Sequence, residues 1–172
     1  MSDTDTSGKQ AGGPTVESRP KVINLHRILV PIDFSDHSRK ALDYAIKFAQ
    51  QFDSEIELVN VVTPVIYAEG MVLPAAMENL DQVTEEHAMS ELKKLAASDA
   101  VKGLTVKTRV LLGNPYDEIV THAKKEETDL LLITTHGRTG LQHFLLGSTA
   151  EKILRHAPCP VLVVRDKEHE FV

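Results

Sequence analysis

From Arg27 onward the chain alternates short apolar runs with longer segments in which apolar residues recur every three or four positions. The runs at 28–32, 56–62, 130–133 and 161–164 are short and nearly uniformly apolar, and they read as buried strands. The segment 105–112 alternates instead, with Val106, Thr108 and Val110 on one side and Lys107 and Arg109 on the other. That pattern predicts a strand near a sheet edge. Between the strands, 36–51 puts Ala41, Leu42, Ala45, Ile46, Phe48 and Ala49 on one helix face. Ser35 or Asp36 is placed to cap it. A second helix is predicted over 75–98, with apolar positions at Met77, Leu80, Val83, Ala88, Leu92 and Leu95. Asn114-Pro115 opens a third: Asn caps, and Pro takes the first helical position, where a missing N–H does no harm. A short fourth helix is predicted over 147–156, and the stretch 63–74, with Pro64, Gly70 and Pro74, is the least regular part of this region.

The predicted order is β-α-β-α-β-α-β-loop-α-β. Strands alternating with helices imply parallel crossovers and a sheet covered on both faces, so the fold class is a single doubly wound α/β domain. Such sheets bind ligands beyond the carboxyl ends of their strands, where the strand order reverses. This directs attention to Asp33, to 61–63, to Gly113 and to 134–137.

Residues 1–25 are different material, rich in Ser, Thr, Asp and Gly, and the reading is a disordered tail before a domain at 26–168. A length of 172 residues with 42% apolar content suits one domain. The formal net charge of −6 argues against a nucleic-acid partner, since duplex binders carry dense Lys and Arg. It gives no reason to expect an anionic membrane surface either. No apolar stretch reaches the roughly 18–20 residues that span a bilayer. The N-terminus lacks a basic-then-apolar leader pattern, so the expected compartment is the cytoplasm. A single cysteine, Cys159, excludes an intrachain disulfide and reads as a small buried filler.

Candidate chemistry is densest from Thr134 to Thr149. A strand ends, a loop carrying Gly137 and Gly140 follows, and a helix begins at Gly147-Ser148-Thr149. Glycine lets a ligand approach bare backbone. The first amides of the helix lack internal partners, and the helix adds about half a positive charge there. Together these suit a phosphate. The same residues also admit a plainer reading, a capping box in which Ser148 bonds a backbone N–H and Glu151 reaches back. Neither a P-loop nor a dinucleotide G-x-G-x-x-G motif is present. Asp33, after Pro31-Ile32, is placed to accept from a ribose or an adenine amino group, or else to serve as a turn residue before the first helix. The eight histidines form no metal pattern, and no tightly bound metal is expected. There is no G-x-S-x-G elbow and no residue evidently placed as a general base for water, so catalysis beyond very slow hydrolysis is not expected.

Four segments in order resemble the universal stress proteins: Ile28-Leu-Val-Pro-Ile-Asp33-Phe-Ser, Leu112-Gly-Asn-Pro, Leu145-Leu-Gly147-Ser-Thr-Ala-Glu151, and Arg155-His-Ala-Pro-Cys-Pro-Val-Leu-Val-Val164. The resemblance implies a five-stranded parallel sheet of order 3-2-1-4-5, of the adenine nucleotide alpha hydrolase-like type. It also implies a homodimer through the last strand, Val161–Val164. ATP-binding members carry G-2x-G-9x-G-[ST]. Here the second glycine is Gly137, the third is Gly147 followed by Ser148, and the position of the first is held by Thr134. Thr134 either crowds the nucleotide or offers its hydroxyl in place of bare backbone. By the same match Pro31, Asp33 and Val61 line the adenosine end, and Thr149 joins the phosphate contacts. The implied ligand is ATP or a related adenine nucleotide, with Mg2+ as an optional companion. The alternative is a nucleotide-free dimeric scaffold of the same fold.

Overall fold

The computed structural model describes residues 23–64, 79–135 and 147–165. Five parallel strands, β1 (Arg27–Pro31), β2 (Glu55–Val62), β3 (Val106–Leu112), β4 (Leu130–Thr134) and β5 (Val161–Val164), form one sheet in the order β3-β2-β1-β4-β5. Among the described residues the connecting helices are α1 (Asp36–Phe52), α2 (Leu80–Ala96), α3 (Pro115–Lys125) and α4 (Ser148–His156). A short 3-10 turn, Asp99–Val101, follows α2. The alternating strand lies at one edge, as its pattern required, and β5 lies at the other.

The period of two along each strand divides the core between the sheet's two faces. Ile28, Val30, Ile56, Leu58 and Leu132 face α1 and α2, where Ala41, Ala45, Ala49 and Leu92 meet them. Leu29, Val59, Leu131 and Ile133 face α3 and α4, where Ile119, Ala123, Ala150 and Ile153 close over them. The small alanines of α1 let that helix sit close on the sheet. Leu25, expected to end the tail, is buried in the first of these layers, and its carbonyl accepts from the Ser54 hydroxyl at 2.5 Å.

Helix starts follow the local chemistry closely. Ser35 caps α1 by accepting from the Ser38 N–H at 3.2 Å, and Asp53 ends it in the left-handed conformation. Asn114 caps α3 by accepting from the Tyr116 N–H at 3.0 Å, with Pro115 at the first helical position. Two expectations need correction. The capping box at Ser148 and Glu151 does not form: Gly147 is the N-cap, Ser148 is already helical, and the Glu151 carboxylate accepts from Arg155 one turn on. In α2, Ala88 and Leu92 are buried but Leu80 and Val83 are exposed, Val83 at 59%. Helical spacing alone does not say which apolar positions find a neighbour. The part of that predicted helix before residue 79, and most of the 63–74 stretch, lie outside the described residues.

Candidate functional site

Order 3-2-1-4-5 reverses between β1 and β4, and a cavity of about 300 Å³ opens there at the carboxyl ends of the strands. Its volume is at the lower end of the range for small-molecule sites. Pro31 ends β1 and Asp33 follows two residues on, Val61 comes from β2, Thr134 ends β4, and Gly147, Ser148 and Thr149 form the entrance to α4. All of these sequence-predicted residues line one hollow. Gly137 lies outside the described residues.

The entrance to α4 is held by backbone bonds. The Gly147 N–H donates to the Thr135 carbonyl at 2.9 Å, and the Glu151 N–H donates to the Gly147 carbonyl at 2.9 Å. Gly147 has an ordinary φ of −57°, so backbone conformation does not demand glycine here. Among the described residues a Cβ built on it would meet only the Thr135 carbonyl, at 3.4 Å. Among the described residues, glycine here leaves the main chain uncovered at a positive helix end. Thr134 is half-buried in the cavity wall and does not fill the cavity.

Asp33 lines the same cavity and serves as a turn residue before α1. It faces the cavity, and its Oδ1 accepts from the Ser35 N–H at 3.0 Å and the Ser35 hydroxyl at 2.5 Å. Between them Phe34 adopts a φ of 66°, a conformation bulky residues rarely take. Its side chain packs against the core beneath. The strained link turns the chain so that Asp33 and Ser35 close on each other, and Ser35 then caps α1. The carboxylate is thus tied to the first turn of a helix.

Asn60 escaped the sequence reading. It is the polar residue inside the otherwise apolar end of β2, it is buried, and it lines the cavity. A second missed group sits away from the cavity. Glu57 on β2 accepts from Arg109 Nε at 3.0 Å, and its Oε2 lies 3.0 Å from Nε2 of the buried His122 on α3. That second contact is at ion-pair distance but lacks hydrogen-bond alignment. Burial raises the Glu57 pKa, but His122 and Arg109 together outweigh it and hold the carboxyl below its ordinary value. Cys159 is half-buried against the α3–α4 layer, and burial pushes its thiol pKa up. This is opposite to the shift that activates a nucleophilic cysteine. Among the described residues no helix is long and apolar enough to cross a membrane, and no cluster of His, Cys, Asp and Glu could hold a metal ion.

The family model for the universal stress proteins matches residues 24–165, which is nearly all of the described chain. The chain belongs to the universal stress protein family. Universal stress protein MJ0531 of Methanocaldococcus jannaschii is 36% identical over 148 residues, spanning 86% of each chain. Among solved structures, the universal stress protein UspA from Lactobacillus plantarum superposes with a TM-score of 0.65 at 25% identity, covering 83% of this chain and 99% of that one. Two more distant neighbours share the fold. One is a universal stress protein solved in complex with cAMP, with a TM-score of 0.61 and 21% identity over 84% of this chain and all of that one. The other is an Arabidopsis thaliana family protein solved with AMP bound, with a TM-score of 0.57 and 17% identity over 83% of this chain and 92% of that one.

Proposed function

We propose that this universal stress protein binds ATP or a related adenine nucleotide in the cavity between β1, β2 and β4, and acts in the cytoplasm as a homodimeric stress or signalling protein. One observation carries the reading: a single hollow has an anion-favouring helix entrance at one end and a fixed carboxylate at the other. Gly147, Ser148 and Thr149 stand at the first end and Asp33 at the second. The strands involved, β4, β1 and β2, are neighbours in the sheet. The hollow therefore spans two inter-strand spacings, roughly 10 Å, which suits a nucleoside carrying phosphate.

In this reading Ser148 and Thr149 add hydroxyl donors to the amides at the α4 entrance, and Gly137 completes the loop around the phosphates. Pro31 and Val61 pack against the adenosine. Asp33, oriented by Ser35, accepts from the ribose. Mg2+ would come with the nucleotide as its counter-ion. Bound nucleotide shifts the protein toward whichever conformation binds it better. The dimer would form through β5, an apolar strand at a sheet edge, because such edges invite pairing with a second copy.

A nucleotide-free dimeric scaffold is the second reading, favoured by Thr134 at the position where ATP-binding members carry glycine. Denaturing the purified protein and identifying released nucleotide by chromatography, with solution mass before denaturation, separates the two. Adenine nucleotide in the released fraction supports the first reading. A folded dimer that carries no nucleotide and takes none up on incubation with ATP supports the scaffold.

A further inference from the structure

Glu57 and His122 join two walls of the cavity at a point just outside it. Along β2 the residues on the α3 side are Glu57, Val59 and Val61, and the last two line the cavity. On α3, Pro115 and Ile119 line the cavity, and His122 follows Ile119 by three positions on the same buried face. The contact between them thus adjoins the cavity wall on both elements. His122 is 5% exposed, and its Nε2 lies 3.0 Å from Glu57 Oε2. A ring nitrogen aiming a lone pair at a carboxylate oxygen this close would be repelled. In the neutral ring the proton therefore sits on Nε2, and Nδ1 is the nitrogen that gains a second one. That second proton turns a polar contact without hydrogen-bond alignment into an ion pair across the α3–β2 interface. The Glu57 carboxyl is held below its ordinary value, so it stays charged over the range of about pH 8 to 5 in which imidazoles exchange protons.

Of the neighbouring charges, Arg109 on β3 donates from Nε to Glu57 Oε1 at 3.0 Å, which leaves Oε2 to His122. Lys107 on β3 pairs with Glu55 on β2 at 2.8 Å. Arg27 on β1 donates to the Glu126 carbonyl and pairs with Glu127 at 3.5 Å. On α3 itself Glu118, Lys125 and Glu126 stand one turn from His122. On α4, Lys152 and His156 pack on Tyr116, in the first turn of α3. We infer that His122 is a proton-responsive positioning residue: its second proton draws α3 onto β2 through Glu57, fixes the cavity wall formed by Ile119 and Val59, and so tightens nucleotide binding as pH falls. This rests on the proposed reading of the cavity as a nucleotide site. A wall already held in place costs less to order when a ligand arrives. Coupling between two binding events is reciprocal, so bound nucleotide must in turn favour the protonated ring.

The test titrates ATP calorimetrically at about pH 8 and about pH 5.5 into the wild type and into His122→Gln, the variant checked for folding by circular dichroism and melting. The nucleotide's own phosphate gains a proton in this range, an effect common to both proteins. On acidification the wild type should gain about fivefold in ATP affinity relative to the variant. Glu57→Gln, which keeps His122 but removes the charge it answers, should lose the same gain. In the wild type, the His122 ring resonances should titrate at higher pH with ATP bound than without, a readout that needs no variant. A folded wild type that binds no ATP at either pH overturns the cavity reading and this inference together. Where ATP does bind, an acid response equal to that of the wild type in His122→Gln or in Glu57→Gln overturns the role of His122 alone. Ring resonances that titrate alike with and without nucleotide do the same.

Discussion

The N–H of Gly147 donates to the carbonyl of Thr135 at 2.9 Å, which fastens the entrance of α4 to the end of β4. Thr135 donates its own N–H to the Val164 carbonyl at 3.3 Å, at the end of β5. The helix end proposed to hold phosphate is thus linked by backbone bonds to the strand proposed to join two subunits.

Gly147 keeps an ordinary backbone conformation, and among the described residues a Cβ there meets only the Thr135 carbonyl at 3.4 Å. Gly147→Val should therefore fold, losing about 1 kcal/mol or less by chemical denaturation. Nucleotide affinity should fall by about tenfold or more, because the side chain occupies the space over the main chain. Unfolding of the variant would mean that glycine is required by the fold rather than by a ligand.

Ser35 holds two groups at once, the Ser38 N–H and the Asp33 carboxylate. Ser35→Ala should cost about 1 kcal/mol in urea unfolding through the lost cap. It should also weaken nucleotide binding by freeing Asp33. Ser35→Thr, which keeps the hydroxyl, should restore both. An affinity indifferent to all three residues would remove Asp33 from the site.

Gly113 follows β3 with a φ of 145°, and a Cβ there would lie 2.6 Å from Glu118 Oε1. Gly113→Ala should cost about 1–3 kcal/mol from backbone strain. Adding Glu118→Ala should recover only part of that loss, because the side-chain overlap goes and the strain stays. Full recovery in the double variant would assign the whole effect to the overlap.

Glu57 titrates below its ordinary value in the folded protein because His122 and Arg109 favour the charged form more than burial opposes it. A carboxyl with a depressed folded pKa contributes stability above its unfolded pKa and loses it as pH falls through the folded one. Glu57→Gln should therefore be less stable than wild type at pH near 7, and the gap should close as pH drops below about 4. Denaturant titrations at several pH values measure this. A gap that stays constant would show that Glu57 contributes no proton-linked stability.

The strands were legible in the sequence because most are buried on both faces, and a continuous apolar run leaves few other readings. The caps at Ser35 and Asn114 were legible because a side-chain oxygen next to a helix start has one obvious use. What failed had a common cause. Val83 looks like a core residue by spacing, yet which apolar positions are covered depends on neighbours that spacing does not name. Ser148 and Glu151 have capping-box spacing, but the helix starts one residue too early for Ser148 to cap it. Glu57, Arg109 and His122 come together only through the parallel register of β2 with β3 and the packing of α3, and no local pattern carries that. The place of the cavity was readable from topology, and Pro31, Asp33, Val61, Thr134, Gly147, Ser148 and Thr149 in its lining from family resemblance. Asn60 carries a local signal, one amide within an apolar strand end.

The central claim is tested most directly by titrating nucleotide-stripped protein with ATP in a calorimeter. The account predicts saturable binding with one ATP per subunit, lost in Gly147→Val. A folded wild-type protein that gives no binding heat and retains no ATP in equilibrium dialysis, up to about 1 mM nucleotide, would contradict it.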